Sequence, residues 1–120
     1  MILVDTSVWI DHLHKSDPQI IDLLDGDLVL MHPWVRGELA LGSLADRARF
    51  FKALDSLPEM RVAKHEEILG LIESESLYGH GIGWVDAGLL ASCIARSCHM
   101  WTHDRRLAAI ALELGVAAAF

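Results

Sequence analysis

The sequence has few basic residues. Its 10 Lys and Arg are outnumbered by 17 Asp and Glu, so the formal net charge is −7. Because nucleic acids are polyanions, this balance argues against a protein that binds DNA or RNA through a broadly basic surface. Two divalent cations held by four clustered acids would, however, change the effective charge from −7 to −3 and reverse its sign locally. An acidic surface also suits a basic protein partner.

Cysteine is scarce too, and long apolar runs are absent. Cys93 and Cys98 are the only cysteines, and a pair on different sides of a predicted helix favours neither a disulfide nor a metal clip. We interpret them as small buried residues in a reducing cytoplasm. No apolar run reaches the roughly 18–20 residues of a membrane span. The apolar run at residues 2–4 is too short for a secretory signal, so we expect a cytoplasmic protein without membrane attachment.

The residues that are plentiful indicate one α/β domain over residues 1–120. Hydrophobic residues make up 52% of the chain, enough for one buried core. Short apolar runs alternate with helical patterns, which predicts a parallel sheet. Helix start signals include Asp17 before Pro18 and a pair resembling a capping box, Ser43 and Asp46. The predicted strands are residues 2–4, 28–31, 61–63, 99–102 and an edge strand at 116–118.

Four acids stand where the predicted elements change. Asp5 directly follows the first buried strand, where an unbound carboxylate is costly and where open α/β folds place their active sites. Glu38 lies on the helix after the second strand. Asp86 opens an apolar helix after a glycine-rich loop, and Asp104 opens the last helix. Each also has a structural interpretation, since Asp86 and Asp104 would complement a helix dipole and Glu38 would be a solvated helix residue.

Taken together, the four acids favour a metal site. The carboxyl ends of parallel strands share one edge of a sheet, so these side chains are expected to converge there. Carboxylates a few ångströms apart repel each other unless cations hold them. Ligand sets made only of oxygen select hard cations such as Mg²⁺ or Mn²⁺, and such sites mostly serve phosphate chemistry. The seven histidines, including His103 beside Asp104, show no metal-ligand spacing.

These acids lie in four motif-like stretches: residues 2–10 (ILVDTSVWI), 36–39 (RGEL), 83–87 (GWVDA) and 101–107 (WTHDRRL). In this order and spacing, the stretches resemble the four acidic motifs of the PIN-domain ribonucleases. Within that group the chain is similar to the VapC-type toxins of bacterial toxin–antitoxin pairs. One motif alone would be weak, but all four cover nearly the whole chain. The visible departure is His103, where the family often has Arg or Lys.

The resemblance implies a PIN-like α/β/α sandwich with a four- or five-stranded parallel sheet. It also implies a metal-dependent endoribonuclease that hydrolyses RNA phosphodiester bonds and acts as a toxin. In that family, residues matching Asp5, Glu38, Asp86 and Asp104 hold one or two Mg²⁺ or Mn²⁺ ions. We therefore expect these four residues to be both the metal ligands and the catalytic acids.

The same resemblance implies supporting residues and partners. Thr6 and Thr102 match hydroxyl positions that help to orient metal-bound water. Arg36, with Arg105 and Arg106, flanks the acids and is a candidate contact for RNA phosphates. The expected partners are an RNA substrate of the tRNA or rRNA class, a VapB-like antitoxin whose C-terminal segment lies across the acids, and a second copy of the chain in a homodimer.

Three alternatives stay open. A catalytically silent binding module of the same fold would typically lack one of the acids, and all four are present here. A phosphoacceptor receiver domain also carries acids at a sheet edge, but it needs a Lys after its last strand. The only lysines are Lys15, Lys52 and Lys64, none of them in the C-terminal third. A DNA-directed nuclease of related fold would need additional duplex-binding elements, of which the sequence gives no sign.

Overall fold

Three short parallel strands form the centre of the fold, in the order β2-β1-β3. The computed structural model describes all of residues 1–120. Leu3 and Val4 in the central strand are fully buried, as expected for a parallel strand covered on both faces. Parallel pairing on both sides brings the carboxyl ends of all three strands to one edge. The strands are β1 (Ile2–Val4), β2 (Val29–Leu30) and β3 (His99–Trp101).

Seven helices surround this sheet. They are α1 (Thr6–His14), α2 (Pro18–Asp25), α3 (Pro33–Ala40), α4 (Arg47–Leu54), α5 (His65–Ser74), α6 (Trp84–Arg96) and α7 (Arg105–Glu113). Helix α1 packs on α3, and α6 packs on both α5 and β3. None of these helices combines the length and apolar character that a membrane crossing requires.

The expectation of a four- or five-stranded sheet is wrong, because the structure has three strands. Beyond β2, Met31 forms a single parallel bridge with Glu59, just before the predicted strand at residues 61–63. Beside β3, Met100 forms a single parallel bridge with Ala117, within the predicted edge strand at residues 116–118. Residues 61–63 do not pair with the sheet at all. The Ala63 N–H donates instead to Ser92 Oγ of helix α6, at 3.2 Å, so this backbone group bonds to a side chain rather than to a strand.

The helix starts follow the sequence signals unevenly. Asp17 caps α2 by accepting a hydrogen bond from the Gln19 N–H, as expected before Pro18. The predicted pairing of Ser43 with Asp46 does not form. Asp46 has a left-handed backbone (φ 49°) and its side chain caps nothing, so α4 begins later than predicted.

Helix α6 is the most deeply buried helix. Every residue from Ala87 to Cys93 is buried, which agrees with its apolar sequence, and the helix packs against β3 of the sheet. Cys93 and Cys98 are both buried free thiols, as the sequence predicts. The core gathers residues from all three strands, including Leu3, Leu30 and Met100. The carboxyl ends of the three strands lie at one edge of this core, where Asp5 follows β1.

Candidate active site

Asp5 occupies the end of the central strand and is nearly buried, with 7% of its surface exposed. Two hydroxyls donate to the same carboxylate oxygen, Oδ2: Ser7 Oγ at 2.7 Å and Thr102 Oγ1 at 2.7 Å. The Asp5 backbone carbonyl accepts the Val8 N–H of helix α1. Asp5 therefore lies at the N-terminus of α1, where the helix dipole favours a negative charge, and hydrogen bonds offset part of its burial cost.

Asp104 and Thr102 connect the neighbouring strand to this point. Thr102 follows β3, and its Oγ1 accepts the Asp104 N–H at 3.1 Å while donating to Asp5. Asp104 caps helix α7, because its Oδ1 accepts the Leu107 N–H at 3.0 Å. The structural interpretation of Asp104 as a helix cap is thus correct, and the same residue also lies beside Asp5 through Thr102.

Glu38 reaches the same region from helix α3. Its Oε1 accepts a hydrogen bond from Thr6 Oγ1 at 2.8 Å, across 32 positions of the sequence. Since Thr6 directly follows Asp5, this bond fixes Glu38 next to the end of β1. Glu38 is otherwise solvent-exposed. Thr6 and Thr102 therefore both hold acids in place.

Asp86 lies in the first turn of α6, after the glycine-rich loop, and is half-buried. Its Oδ2 accepts the Gly83 N–H at 3.2 Å. Burial raises the pKa of the Asp86 carboxyl above its ordinary value, and the charges of Asp5 and Asp104 add to this rise. The Gly83 N–H partly offsets it. The effect of Asp5 and Asp104 on the Asp86 carboxyl indicates that these three acids share one electrostatic environment.

The donor set of this site fits a hard cation. Each of the four acids has one carboxylate oxygen committed to hydrogen bonds, and the structure gives no hydrogen bond to its other oxygen. None of the four forms an ion pair with Arg, Lys or His. No three of them stand close enough to form a finished metal cage. Mg²⁺ is compatible with this arrangement, because it usually retains several waters and binds proteins through one or two carboxylates.

The basic residues near the acids behave differently from one another. Arg36 makes a two-pronged pair with Asp55, from Nε to Oδ1 at 2.6 Å and from Nη2 to Oδ2 at 3.2 Å. Its contact with RNA stays a prediction. Arg106 lies against the glycine-rich loop at Gly81, where an added Cβ would stand only 2.5 Å from its Nη1. The left-handed backbone at Gly81 (φ 78°) favours glycine at this position.

Sequence reasoning missed two members of this region, Ser7 and Asp11. Ser7 Oγ donates to Asp5, stands 3.3 Å from Thr102 Oγ1 and accepts the His103 N–H at 3.1 Å. Asp11 Oδ2 contacts His103 Nδ1. The available signal for Ser7 was its position two residues after Asp5. Asp11 carried no signal, because its partner lies 92 positions away.

A family model for the PIN domain matches residues 2–113, nearly the whole chain. The chain belongs to the PIN domain family. Its sequence is also 45% identical, over 120 residues, to Ribonuclease VapC32 of Mycobacterium tuberculosis strain CDC 1551 / Oshkosh. The same identity holds for Ribonuclease VapC32 of strain ATCC 25618 / H37Rv. Each alignment covers 99% of this chain and 97% of the relative.

These comparisons confirm the resemblance to VapC-type PIN proteins that the four motifs suggested. The PIN match includes all four acids, from Asp5 to Asp104. In this PIN domain the acids come from four separate parts of the chain: the end of β1, helix α3, the first turn of α6 and the start of α7. The individual roles of these residues belong to the proposal that follows.

Proposed function

We propose that this PIN-domain protein is a Mg²⁺- or Mn²⁺-dependent endoribonuclease and the toxin of a type II toxin–antitoxin pair. The observation that carries the proposal is the unpaired state of Asp5, Glu38, Asp86 and Asp104, each with one oxygen free of hydrogen bonds. The charges of Asp5 and Asp104 act against the charged form of Asp86, so an external cation would stabilise these acids. The printed name of its VapC32 relatives, ribonuclease, supports RNA as the substrate.

The chain's own residues have separable roles in this proposal. Asp5, Asp86 and Asp104 are the proposed direct ligands, and Glu38 binds directly or through water. The hydroxyls of Ser7, Thr6 and Thr102 donate to Asp5 and Glu38, so they hold these carboxylates in fixed orientations. One or two bound divalent ions would supply water with a lowered pKa and neutralise charge on the scissile phosphate.

The surroundings of the acids suit a phosphate chain. Arg105 and Arg106 are exposed at the start of α7, directly after Asp104. Arg106 lies on the loop that leads to Asp86, so the two arginines are proposed contacts for RNA phosphates on either side of the cleaved bond. Arg36 is a weaker candidate, since Asp55 already neutralises its charge.

The proposed biological setting also follows from the VapC resemblance. We infer a cytoplasmic protein that forms a homodimer and is inhibited by a VapB-like antitoxin. The net charge of −7 suits a basic segment of such an antitoxin across the acids. RNA of the tRNA or rRNA class is the proposed substrate.

The decisive experiment compares substrates and metals side by side. Purified protein is incubated with labelled tRNA, an rRNA fragment and single-stranded and duplex DNA, with Mg²⁺, with Mn²⁺ and with EDTA. The proposal predicts cleavage of RNA alone, abolished by EDTA and restored by excess Mg²⁺. Cleavage that survives EDTA would contradict the metal requirement. Preferential cleavage of DNA would identify a DNA-directed nuclease, and no cleavage together with no Mn²⁺ binding would identify a silent binding module.

A further inference from the structure

His32 is a completely buried histidine that has no part in the four acidic motifs. It stands between β2 and α3, and its Nδ1 accepts the Trp34 N–H at 3.0 Å, which caps helix α3. Because Nδ1 is an acceptor, the ring proton of the neutral imidazole lies on Nε2. Nε2 is 3.1 Å from Ser92 Oγ of helix α6 and therefore donates to it.

Ser92, the residue bonded to His32 Nε2, makes two further hydrogen bonds in this buried connection between β2, α3 and α6. Its hydroxyl donates to the Gly88 carbonyl at 2.8 Å and accepts from the Ala63 N–H at 3.2 Å. With His32 Nε2 as a second donor, every polar atom of the connection has a partner. A fully satisfied buried network specifies one arrangement of the elements it joins, because any shift leaves a buried polar group unpaired.

Close packing reinforces the same junction. Gly88 lies one turn before Ser92 on α6, and a Cβ at Gly88 would stand only 2.1 Å from Trp34 Cζ3. The Trp34 ring therefore rests on the α6 backbone, and the His32 ring meets Trp34 edge-on with centroids 5.5 Å apart. The start of α3 is thus fixed on α6 by an aromatic contact and by the bond between His32 and Ser92.

Both helices of this junction carry acids of the candidate site. Glu38 lies on α3 and Asp86 lies on α6, two residues before Gly88. Nothing else in the hydrogen-bond pattern joins these two acids: Glu38 is bonded to Thr6, and Asp86 to Gly83. The separation of Glu38 from Asp86 is therefore set by how α3 sits on α6 together with the bond from Thr6 to Glu38.

We propose that His32 and Ser92 are positioning residues: the bond from His32 Nε2 to Ser92 Oγ sets α3 against α6 and so positions Glu38 relative to Asp86 for divalent-cation binding. This inference rests on the proposed metal-dependent function. Neither residue is placed in contact with substrate or metal.

Two substitutions separate the helix cap from the interhelical bond. In His32→Asn, the side-chain amide keeps an acceptor where Nδ1 was, so the cap on Trp34 is retained and the bond to Ser92 is lost. In His32→Gln, the longer amide reaches toward Ser92 and the cap is lost. Ser92→Ala removes the same interhelical bond from the other side. Leu23→Ala, a buried change on α2, is the control for general destabilisation.

The readouts are Mn²⁺ affinity by titration calorimetry and Tm. We expect His32→Asn and Ser92→Ala to weaken Mn²⁺ binding by about tenfold, the scale of lost supporting interactions around metal sites. His32→Gln and Leu23→Ala should stay within about twofold of wild type, although their Tm falls, since they keep the bond that sets α3 on α6. Rescue by Gln but not by Asn is a pattern that a merely structural role would not produce.

The failures are distinguishable. If the wild-type protein binds no Mn²⁺, both the proposed function and this inference are overturned. If the wild type binds Mn²⁺ and its affinity is unchanged in His32→Asn and Ser92→Ala, the positioning role alone is overturned. The same holds if the affinity of all four variants simply follows their Tm. Should His32→Asn not fold, Ser92→Ala carries the comparison.

Discussion

Helix α3 contributes a residue to each of two charged groups that the fold treats in different ways. Arg36 binds Asp55 in a two-pronged ion pair, with the Phe51 ring 5.0 Å from its guanidinium. Two residues further on, Glu38 belongs to a group of four acids with no ion pair at all. The arginine of α3, Arg36, pairs with the exposed acid Asp55 and not with Glu38. The acids at the sheet edge have no cationic partner within the chain, and this is the basis of the proposed divalent-cation site.

The largest expected effect is on the rate of RNA cleavage, which should differ between a substitution among the four acids and one in the pair of Arg36 with Asp55. Asp5→Asn should lower Mg²⁺-dependent RNA cleavage at least about a hundredfold, because an amide replaces a carboxylate where metal binding supplies several kcal/mol. Asp55→Asn removes an acid of equal charge from the paired group and should leave the rate within about threefold. Rates are measured on the RNA found to be cleaved by the wild type. Similar losses in both variants would mean that the two groups do not differ in function.

A second prediction concerns the junction that holds α3 on α6, through the pH dependence of stability. Burial lowers the pKa of His32 from its ordinary value of 6.5 to about 4 in the folded protein. Its neutral form therefore contributes stability that is fully present above pH 6.5 and is lost as the pH falls toward 4. The loss should be on the order of 3 kcal/mol, because one pKa unit corresponds to about 1.4 kcal/mol.

The measurement is chemical denaturation of wild type and His32→Gln between pH 7 and about pH 4. The difference between the two curves isolates His32, since the raised pKa of Asp86 acts on both proteins and in the opposite direction. The wild type should lose its advantage as the pH falls. Parallel curves for the two proteins would contradict a neutral buried His32.

The smallest expected effect is on the free energy of unfolding, whose change should have opposite signs for an acid of the candidate site and for the acid paired with Arg36. Asp86→Asn keeps an acceptor for the Gly83 N–H and removes a charge that burial and two nearby acids disfavour. It should raise the free energy of unfolding at pH 7 by less than about 1 kcal/mol. Asp55→Asn should instead lower it, since the Arg36 guanidinium holds the pKa of Asp55 below its ordinary value. Denaturation without added divalent ions measures both, and equal signs would refute the contrast.

Much of the candidate site was predictable from the sequence because three of its four acids carry a local signal. Asp5 ends an apolar run, and Asp86 and Asp104 open helices whose start signals involve only the next few residues. Such signals act over one turn, so they can be interpreted without knowing the rest of the fold. The two threonines beside the acids were identified from the family resemblance, since their hydrogen bonds to Glu38 and Asp5 cross 32 and 97 positions.

The errors occurred where an element depends on a distant partner. The stretches 61–63 and 116–118 carry strand-like residues, but a strand exists only if a neighbour accepts its hydrogen bonds. The Ala63 N–H donates to Ser92 Oγ instead of to a strand, and Ala117 forms a single bridge with Met100. The pairing of Arg36 with Asp55 could not be predicted either, because nothing local distinguishes Asp55 from the chain's other exposed acids.

By itself, the sequence predicted the α/β class, the PIN family and four candidate acids, since these depend on short stretches of the chain. Only the tertiary structure decided how many strands the sheet has and which hydroxyl holds which acid. It also decided that His32 bonds to Ser92, 60 positions away. The reason is that a buried polar group forms hydrogen bonds with groups that are close in the folded structure, and these can be distant in the sequence. In the proposed positioning role, the bond between His32 and Ser92 orients Glu38 relative to Asp86.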